Sequence, residues 1–537
     1  MAEYVTIGEA LPAQVDGLDV LGAVCNNMVV SLAAPHFADP EVRPLTRADD
    51  YGFEIYRSSL VFLLAKCAEE LAHGSEFRVR QSISQALYCT WAPSPRGSAK
   101  ATGDIKRLSA ALADLVRADV PIAAQPVPYK NAVEVLGKLG RVDELNLLRH
   151  RNPPAVLLSC CGDFRALNQT PLAPRTGTLD LWELLPADGG FILNVPPPET
   201  PRKLRRVPAT APFFKIFRHQ AAHRRVTGVE TLGDLNQAIL EKRFDVFVRT
   251  VEAMQTKDLA TIADHVAARG KVRLVLLAGP SSAGKTTTAH RLCTQLRVVG
   301  LRPLLLSTDD YFVGDARNPR DANGNLDYET VEAVDAERLA ADLNGLFVGK
   351  AVRVRKFDFL KHDGYDAKAT TRLPSDGVVV LEGIHALNPI LTAALPDDVK
   401  FRVYLNALTQ LVVDSCNRIS TTDTRLLRRL VRDFHFRGMS PLDTFRLWPN
   451  VVAGERKWIY PYQAKADAVF NSALDYELAV LKPFASELLN QVKPWDAAFA
   501  EARRLSGILH NVSPAPADCV PGDSILRETI GGSQLTY

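Results

Sequence analysis

The chain has 537 residues, of which 47% are hydrophobic and 23% are charged, a composition typical of a folded protein and not of a disordered chain. At about 150 residues per domain, this length predicts three or four domains. Lysine and arginine number 64 against 61 acidic residues, a net charge of +3. This balance excludes binding of nucleic acid or membranes through bulk charge, so such a partner would need a local patch.

The cysteine pattern and the apolar runs indicate the compartment. The eight cysteines are scattered without a CxxC pair, which excludes a disulfide framework or zinc ribbon and is typical of a reducing compartment. No apolar run approaches the roughly 18 residues of a membrane span, and the N-terminus lacks a signal-peptide core or an Arg-rich presequence. We expect a cytoplasmic protein with no membrane partner. The sequence leaves organellar import and oligomerisation open.

The first half of the chain predicts a mixture of short strands and helices joined by a proline-rich loop. Helices are assigned where apolar residues recur every three or four positions, and the loop where prolines interrupt any regular element. The predicted elements are short segments and turns over 1–47, a helix over 53–72, strands over 79–91, a helix over 104–118, the loop over 194–212 and a helix over 235–269.

From residue 271 the pattern changes to strands that alternate with helices, which predicts an α/β domain with a mostly parallel sheet and crossover helices. Its first strand, VRLVLLAG, is nearly all apolar, as expected of a strand buried on both faces. We expect this domain to extend to about residue 490. The other predicted strands are PLLLST, VRVRKF, GVVVLEG and KFRVYL, and the predicted helices are KTTTAHRLCTQLRVV and a segment at about 330–347.

A glycine-rich turn between the first strand and helix of this domain predicts a phosphate-binding loop. The segment from Gly279 to Thr286 fits the pattern G-x-x-x-x-G-K-[ST]. Backbone N–H groups and the helix N-terminus favour phosphate, Lys285 can reach the β- and γ-phosphates, and the Thr286 hydroxyl can bind Mg²⁺. A chance match in a Gly/Ser turn is the alternative, and the strand–turn–helix context argues against it. The predicted nucleotide-binding residues are Gly279, Ser281, Ser282, Ala283, Gly284, Lys285, Thr286 and Thr287.

Carboxylates follow two of the predicted strands. Asp309 and Asp310 come after PLLLST, and Glu382 ends GVVVLEG. Ligands of open parallel sheets bind at the carboxyl ends of strands. There a carboxylate can accept a proton from a hydroxyl or hold Mg²⁺ directly or through water. Acidic residues after a strand also serve as plain helix caps, so the pattern alone leaves both interpretations open for Asp309 and Asp310.

A basic helical segment lies after the last of these strands. It can close over phosphates and neutralise charge in a transition state, or it can simply be a solvated helix face. Asp423 and Asp433 are its acidic residues. The arginines are Arg418, Arg425, Arg428, Arg429, Arg432 and Arg437.

In this order, the motifs GPSSAGKTT, STDDYF, NLDY, KFDFLKH, LEGIHALN and DTRLLRRLVRDFHFRG resemble the uridine kinase and phosphoribulokinase family of P-loop kinases. The resemblance implies ATP and Mg²⁺ as cofactors and the hydroxyl of a small molecule, such as a nucleoside 5′-hydroxyl, as acceptor. It implies that Asp309 is the general base and also a metal contact, that Thr286 and Glu382 serve Mg²⁺, and that Asp327 holds ribose hydroxyls. It also implies a catalytic role for Lys285 and a phosphate lid formed by Arg425, Arg429 and Arg432.

The base-reading segment departs from the family pattern. In uridine–cytidine kinases a Tyr and a His of a Y-D-F-x-x-H segment read the base. The matching segment here begins at Phe357 and ends at His362, so the histidine is present and the tyrosine hydroxyl is absent. Pyrimidine specificity therefore stays open, and His362 has a structural interpretation as well.

The remaining sequence resembles two-part members of the family, in which the kinase follows a region like the TGS and second additional domains of threonyl-tRNA synthetase. The motifs are VLGAVCNNMVVSLAAP, GFEIYRSSLVFLLAKCAEEL and QSISQALYCTW. This resemblance implies α+β, ubiquitin-like and editing-like domains before the α/β kinase domain. The predicted division is 1–47 TGS-like, 48–235 editing-like with connector, 236–492 kinase, and 493–537 a C-terminal helix and tail.

Two features of this region bear on RNA. The synthetase editing helix carries H-x-x-x-H, whereas the matching positions here are Tyr56 and Leu60, so we expect no editing of aminoacyl esters. His219 and His223 are one helical turn apart among arginines, and we interpret them as basic surface and not as a zinc site. The basic stretch Arg202–Arg225 is either an RNA-facing patch or a solvated loop.

Three functions stay open on this reasoning. The first is an ATP- and Mg²⁺-dependent kinase of a nucleoside. The second is a kinase of a sugar phosphate, as in phosphoribulokinase. The third is an ATP-binding, RNA- or ribosome-associated protein whose synthetase-like part contacts RNA. The presence of Lys285, Thr286, Asp309 and Glu382 favours an active kinase over a protein that only binds ATP.

Overall fold

The computed structural model describes residues 6–35, 41–92, 101–207, 224–321, 324, 326–358 and 361–536. The chain divides into two compact units, and each is assembled from separate segments of the chain. The first unit contains Met1–Phe244, Gln410–Ser420 and Ser486–Ala515, and the second unit contains Asp245–Thr409, Thr421–Ala485 and Pro516–Tyr537.

Strands and α-helices of the described residues are numbered in chain order. The strands are β1 Gln14–Val15, β2 Leu18–Asp19, β3 Gly22–Cys25, β4 Met28–Val30, β5 Val42–Leu45, β6 Glu76–Ile83, β7 Ala86–Ala92, β8 Ala123–Pro128, β9 Ala155–Cys161, β10 Phe164–Leu167, β11 Glu183–Ala187, β12 Gly190–Asn194, β13 Leu274–Ala278, β14 Arg302–Ser307, β15 Arg355–Asp358, β16 Asp363–Asp366, β17 Gly377–Glu382, β18 Lys400–Asn406 and β19 Ala468–Asn471. The helices are α1 Asp50–Leu71, α2 Ala101–Arg117, α3 Tyr129–Lys138, α4 Val142–Leu148, α5 Leu232–Leu240, α6 Phe244–Ala268, α7 Lys285–Val298, α8 Ala336–Phe347, α9 Pro389–Thr392, α10 Thr421–Arg437, α11 Pro441–Trp458, α12 Glu477–Leu489, α13 Phe499–His510 and α14 Arg527–Ile530. Within the described ranges, none of these helices has both the length and the apolar character that crossing a bilayer requires.

Five described strands of the second unit form a parallel sheet in the order β14-β17-β13-β18-β19. All residues of β13 and β17 are buried, which agrees with their nearly continuous apolar sequences, since a parallel sheet is covered on both faces. The register pairs Glu382 with both Ser307 and Leu277. The carboxyl ends of these three strands therefore lie side by side, and the predicted α/β fold is confirmed for this part of the chain.

Three predicted elements differ in detail. The predicted strand VRVRKF contributes β15, which pairs antiparallel with β16 in a separate hairpin and not in the parallel sheet. The helix predicted from about residue 330 begins at Ala336, where the Asp335 side chain accepts a hydrogen bond from the backbone of Arg338 and caps it. The helical pattern over 235–269 comprises α5 and α6, and Lys242 between them adopts a φ of 60°, which interrupts a right-handed helix.

The first unit is built around α1. This helix predicted over 53–72 spans Asp50–Leu71 and buries side chains on all sides, as expected of a helix enclosed by other elements. The antiparallel sheets of three or more strands in this unit have the orders β4-β3-β5, β11-β12-β7-β6 and β10-β9-β8. The core around α1 includes Phe62, Phe77 and Phe191, so apolar side chains of the helix and of the second of these sheets meet in one cluster.

Candidate functional site

The phosphate loop connects β13 to α7 and depends on two glycines. A Cβ at Gly279 would lie 2.2 Å from the carbonyl oxygen of Leu405, so this position admits no side chain. Gly284 has a φ of 83°, a left-handed conformation that glycine adopts without strain, and the helix begins at the next residue. The strand–turn–helix context that the motif requires is therefore present, and it brings an anion-binding helix N-terminus to the sheet edge.

Lys285, Thr286 and Glu382 lie together at this edge. The Lys285 ammonium donates to the carbonyl of Pro280 at 3.3 Å, so it lies over the loop. The Thr286 hydroxyl donates to a carboxylate oxygen of Glu382 at 3.3 Å. Burial raises the pKa of Glu382 to about 7, and the negative charge of Asp309 contributes to this shift to a smaller extent. A buried carboxylate next to a second carboxylate favours a cation between them.

This oxygen-rich group fits Mg²⁺. Mg²⁺ prefers oxygen ligands and commonly takes only one or two protein carboxylates, with nucleotide phosphates and water completing its shell. In the part of the chain that the structure describes, no three His, Cys, Asp or Glu side chains are grouped as a self-contained metal site. The hydroxyl and carboxylate oxygens of Thr286, Glu382 and Asp309 are of the donor type that suits Mg²⁺ together with nucleotide phosphates and water.

Asp309 and Asp310 are adjacent in sequence and have different surroundings. Both lie in the 3₁₀ turn Thr308–Tyr311 that follows β14. Asp309 accepts a 3.3 Å hydrogen bond from the Thr308 hydroxyl, and its charge acts on Glu382. Asp310 accepts a 2.6 Å hydrogen bond from the Lys356 ammonium. Burial raises the pKa of Asp310, and Lys356 opposes this shift. Asp309 is thus associated with the metal-binding candidates, and Asp310 with a lysine of β15.

Two buried arginines of α10, Arg425 and Arg429, bind the phosphate loop. Arg425 donates to the carbonyl of Ser281 at 2.8 Å and pairs with Glu455, while Glu455 accepts a 3.1 Å hydrogen bond from the backbone N–H of Ser281. Arg429 donates to the Ser281 hydroxyl at 3.0 Å and pairs with Asp433. These contacts exclude the interpretation of this segment as a solvated basic face. Ser281 is bound on its N–H, carbonyl and hydroxyl at once.

The other arginines of the basic segment have separate partners. Arg432 pairs with Asp433 at 2.7 Å, next to Arg429. Arg428 pairs with the buried Glu477. Arg418 precedes α10 in the first unit and donates to the side chain of Gln81 at 3.2 Å. Of the predicted lid residues, Arg425 and Arg429 therefore contact the phosphate loop. Arg432 is connected to the loop through Asp433 and Arg429.

The predicted acceptor residues form a second group. The backbone N–H of Glu329 donates to Asp327 at 2.9 Å, and the Tyr328 hydroxyl lies 3.2 Å from Nδ1 of His362. Phe357 is buried and packs edge-on against Phe312 at 5.8 Å between ring centroids. Position 357 carries no hydroxyl, and the hydroxyl that lies beside His362 belongs to Tyr328. Asn325, the first residue of the NLDY motif, lies outside the described residues, as do the two histidines His219 and His223.

Sequence reasoning missed three titratable groups near the loop. Burial raises the pKa of Glu329 to about 7, while the positive charges of Arg429 and Lys285 oppose the shift. Burial and the charge of Lys285 lower the pKa of His385 to about 4, which keeps its imidazole neutral. Glu455, which binds Ser281, is the third. Glu329 adjoins the quoted NLDY motif, His385 lies in LEGIHALN, and Glu455 lies in the segment WPNVVAGERKW that also resembles the family, so these motifs were a signal.

Comparison of the sequence with known proteins identifies the family of the second unit's α/β region. The profile of the Phosphoribulokinase / Uridine kinase family matches residues 274–479. A uridine kinase of Deinococcus deserti is 32% identical over 203 residues, which cover 37% of this chain and 88% of that protein. A uridine kinase of Lactobacillus helveticus is 26% identical over 221 residues, covering 41% of this chain and 96% of that protein.

A solved structure of D-glycerate 3-kinase from Cryptococcus neoformans var. grubii is also similar. It has 15% sequence identity and a TM-score of 0.27, over 39% of this chain and 89% of that chain. The sequence matches support an ATP-dependent kinase, and the kinases of this family use ATP with Mg²⁺. The chain belongs to the phosphoribulokinase and uridine kinase family.

Proposed function

We propose that this kinase transfers the γ-phosphate of ATP to the 5′-hydroxyl of a nucleoside, with Asp309 as the general base. The observation that supports the proposal is the different surroundings of the two neighbouring carboxylates: Lys356 pairs with Asp310, whereas Asp309 accepts a hydrogen bond from Thr308 and its charge acts on Glu382. The similarity to proteins named uridine kinase supports a nucleoside as the acceptor. The hydroxyl would lie between Asp309 and the γ-phosphate.

The proposed roles follow from position and charge. The loop from Gly279 to Thr287 would bind the phosphates, and Lys285 would neutralise the β- and γ-phosphates as charge shifts between them. Thr286, Glu382 and Asp309 would hold Mg²⁺, which supplies charge neutralisation at the transferred phosphoryl group. Arg429 and Arg432 would stabilise its equatorial oxygens. Arg425 would act by holding Ser281, since its guanidinium is already bound to that residue and Glu455.

We propose that Asp327 holds the ribose hydroxyls and that Tyr328 and His362 read the base. The supporting contact is the 3.2 Å approach of the Tyr328 hydroxyl to the His362 ring. His362 is half-exposed, so its ring is open to an acceptor. Phe357 would contribute only apolar contact. A sugar phosphate is the alternative acceptor.

We propose that the first unit is a synthetase-like region without editing chemistry. The supporting observation is the state of the two positions where the editing histidines would stand. Tyr56 and Leu60 are both fully buried, and the Tyr56 hydroxyl donates to the carbonyl of Leu181 at 3.0 Å. Contact with RNA through Arg202–Arg225 stays a prediction, because residues 208–223 lie outside the described ranges.

The experiment measures ATP consumption by the full chain across nucleosides and sugar phosphates. On the best acceptor, Asp309→Asn should lower kcat by about 10²- to 10⁴-fold, the usual contribution of a general base, and MgATP should still bind. Asp310→Asn is the matched control and should cost much less. Reversed effects would assign the base to Asp310. If none of the nucleosides or sugar phosphates supports ATP consumption and RNA co-purifies with the protein, the proposal of a small-molecule kinase is refuted and the RNA-associated alternative is favoured.

A further inference from the structure

The end of the chain forms an ordered part of the second unit. After α13 the chain returns to this unit as residues 516–536, here called the C-terminal tail. Ser524, Ile525 and Leu526 are fully buried. The guanidinium of Arg527 donates to the backbone carbonyl of Ala517 at 3.0 Å and to that of Gly531 at 3.3 Å. The arginine thereby ties the two ends of the tail together.

The tail packs directly on the phosphate loop. A Cβ at Gly284 would lie 2.3 Å from a methyl carbon of Ile525, so this isoleucine covers the residue that immediately precedes α7. One turn further, the Thr287 hydroxyl donates to a carboxylate oxygen of Glu528 at 3.0 Å. The Ser524 hydroxyl lies 3.1 Å from the hydroxyl of Tyr476, which is a further contact of the tail with the rest of the second unit.

These contacts fall on the first turn of α7. The first N–H groups of a helix have no partner within the helix, and in a phosphate loop they face the nucleotide. The direction in which these N–H groups point depends on the contacts that fix the first turn of α7. Ile525 packs against Gly284, and Glu528 fixes the side chain of Thr287 by accepting its hydrogen bond. The charge of Glu528 also contributes to the raised pKa of Glu382, so the tail carboxylate lies within the electrostatic field of the site.

We propose that the C-terminal tail is a wall of the ATP site and that Glu528 is a positioning residue. It holds the Thr287 hydroxyl so that the first turn of α7 presents Lys285 and Thr286 to the nucleotide. The proposal rests on the ATP-dependent kinase activity and is independent of which acceptor is phosphorylated. A tail that merely completed the hydrophobic core would leave ATP affinity unchanged when its one loop-binding carboxylate was removed.

The test is the dissociation constant of MgATP, measured by calorimetry on the full chain, so that no acceptor is needed. Glu528→Ala should weaken MgATP binding about tenfold. Glu528→Gln keeps an oxygen that can accept from Thr287 and should bind within about threefold of the wild type. Asp523→Asn is the matched control, because it removes a charge from an exposed position of the same tail, and it should change nothing.

The other outcomes overturn the proposal. If Glu528→Gln binds MgATP as weakly as Glu528→Ala, the charge of Glu528 matters and not its hydrogen bond to Thr287. Unchanged or tighter binding by Glu528→Ala would show that the tail is structural or inhibitory. Should Glu528→Ala fail to fold, Thr287→Val removes the same hydrogen bond from the other side. Its loss of affinity should then exceed that of Thr287→Ser, which keeps the hydroxyl, and equal losses would refute the proposal.

Discussion

The clamp that Glu455 and Arg425 form on Ser281 gives a sharp quantitative prediction. Both side chains are 1% exposed. Glu455 accepts hydrogen bonds from the Ser281 backbone at 3.1 Å and from the Tyr460 hydroxyl at 3.1 Å, in addition to its pair with Arg425. Glu455→Gln keeps the shape of the side chain and removes its charge. It therefore leaves the Arg425 guanidinium buried without an ionic partner.

The expected cost follows from this burial. Breaking a buried ion pair by removing one partner costs about 3–5 kcal/mol. Because the amide oxygen of Gln can still accept a hydrogen bond, we expect the lower end, about 3 kcal/mol. For a unit of this size that corresponds to a melting temperature lowered by roughly 6–12 °C. Arg425, which binds the Ser281 carbonyl, loses its ionic partner, so MgATP affinity should fall as well, by about tenfold.

The assay is thermal unfolding of the full chain with and without MgATP, since a transition that belongs to the ATP-binding unit shifts with ligand. Arg446→Met is the control, because it breaks a pair on the same helix, α11, whose members are 74% and 40% exposed. Exposed pairs contribute about 0–1 kcal/mol. A loss below about 1 kcal/mol for Glu455→Gln, with unchanged MgATP affinity, would refute the buried clamp.

Three further predictions follow from the same structure. Lys285→Ala removes the cation over the phosphate loop, so turnover should be abolished and MgATP binding weakened; turnover like that of the wild type would contradict the site assignment. The full chain should not hydrolyse mischarged tRNA, because Tyr56 and Leu60 fill the two histidine positions, and measurable hydrolysis would overturn this. Burial raises the pKa of Asp414 to about 7. Between about pH 4 and pH 7, Asp414 therefore carries a proton in the folded protein and has released it in the unfolded chain. Its contribution to stability is complete below about pH 4 and falls by at most about 1.4 kcal/mol per pH unit up to pH 7, and unfolding curves of Asp414→Asn should lack this slope.

Local sequence determined the parts of the site that depend on local geometry. The loop from Gly279 to Thr286 is recognisable because its glycines and its helix lie within one short segment. The carboxyl-edge position of Asp309 and Glu382 follows from apolar strand periodicity alone, since parallel strands end at the same edge of a sheet. The order of β14, β17 and β13 in the sheet then placed Ser307, two residues before Asp309, directly beside Glu382.

Tertiary packing alone decided which charges meet. Arg425 and Glu455 are 30 residues apart, and Thr287 and Glu528 are 241 residues apart, so no local pattern relates them. The sequence showed a run of arginines but not that Arg425 binds the Ser281 carbonyl. It showed two adjacent aspartates but not that Asp310 pairs with Lys356. The physical reason is that a buried charge is retained only where a partner is packed against it, and that partner is chosen by the three-dimensional fold and not by its neighbours in the chain.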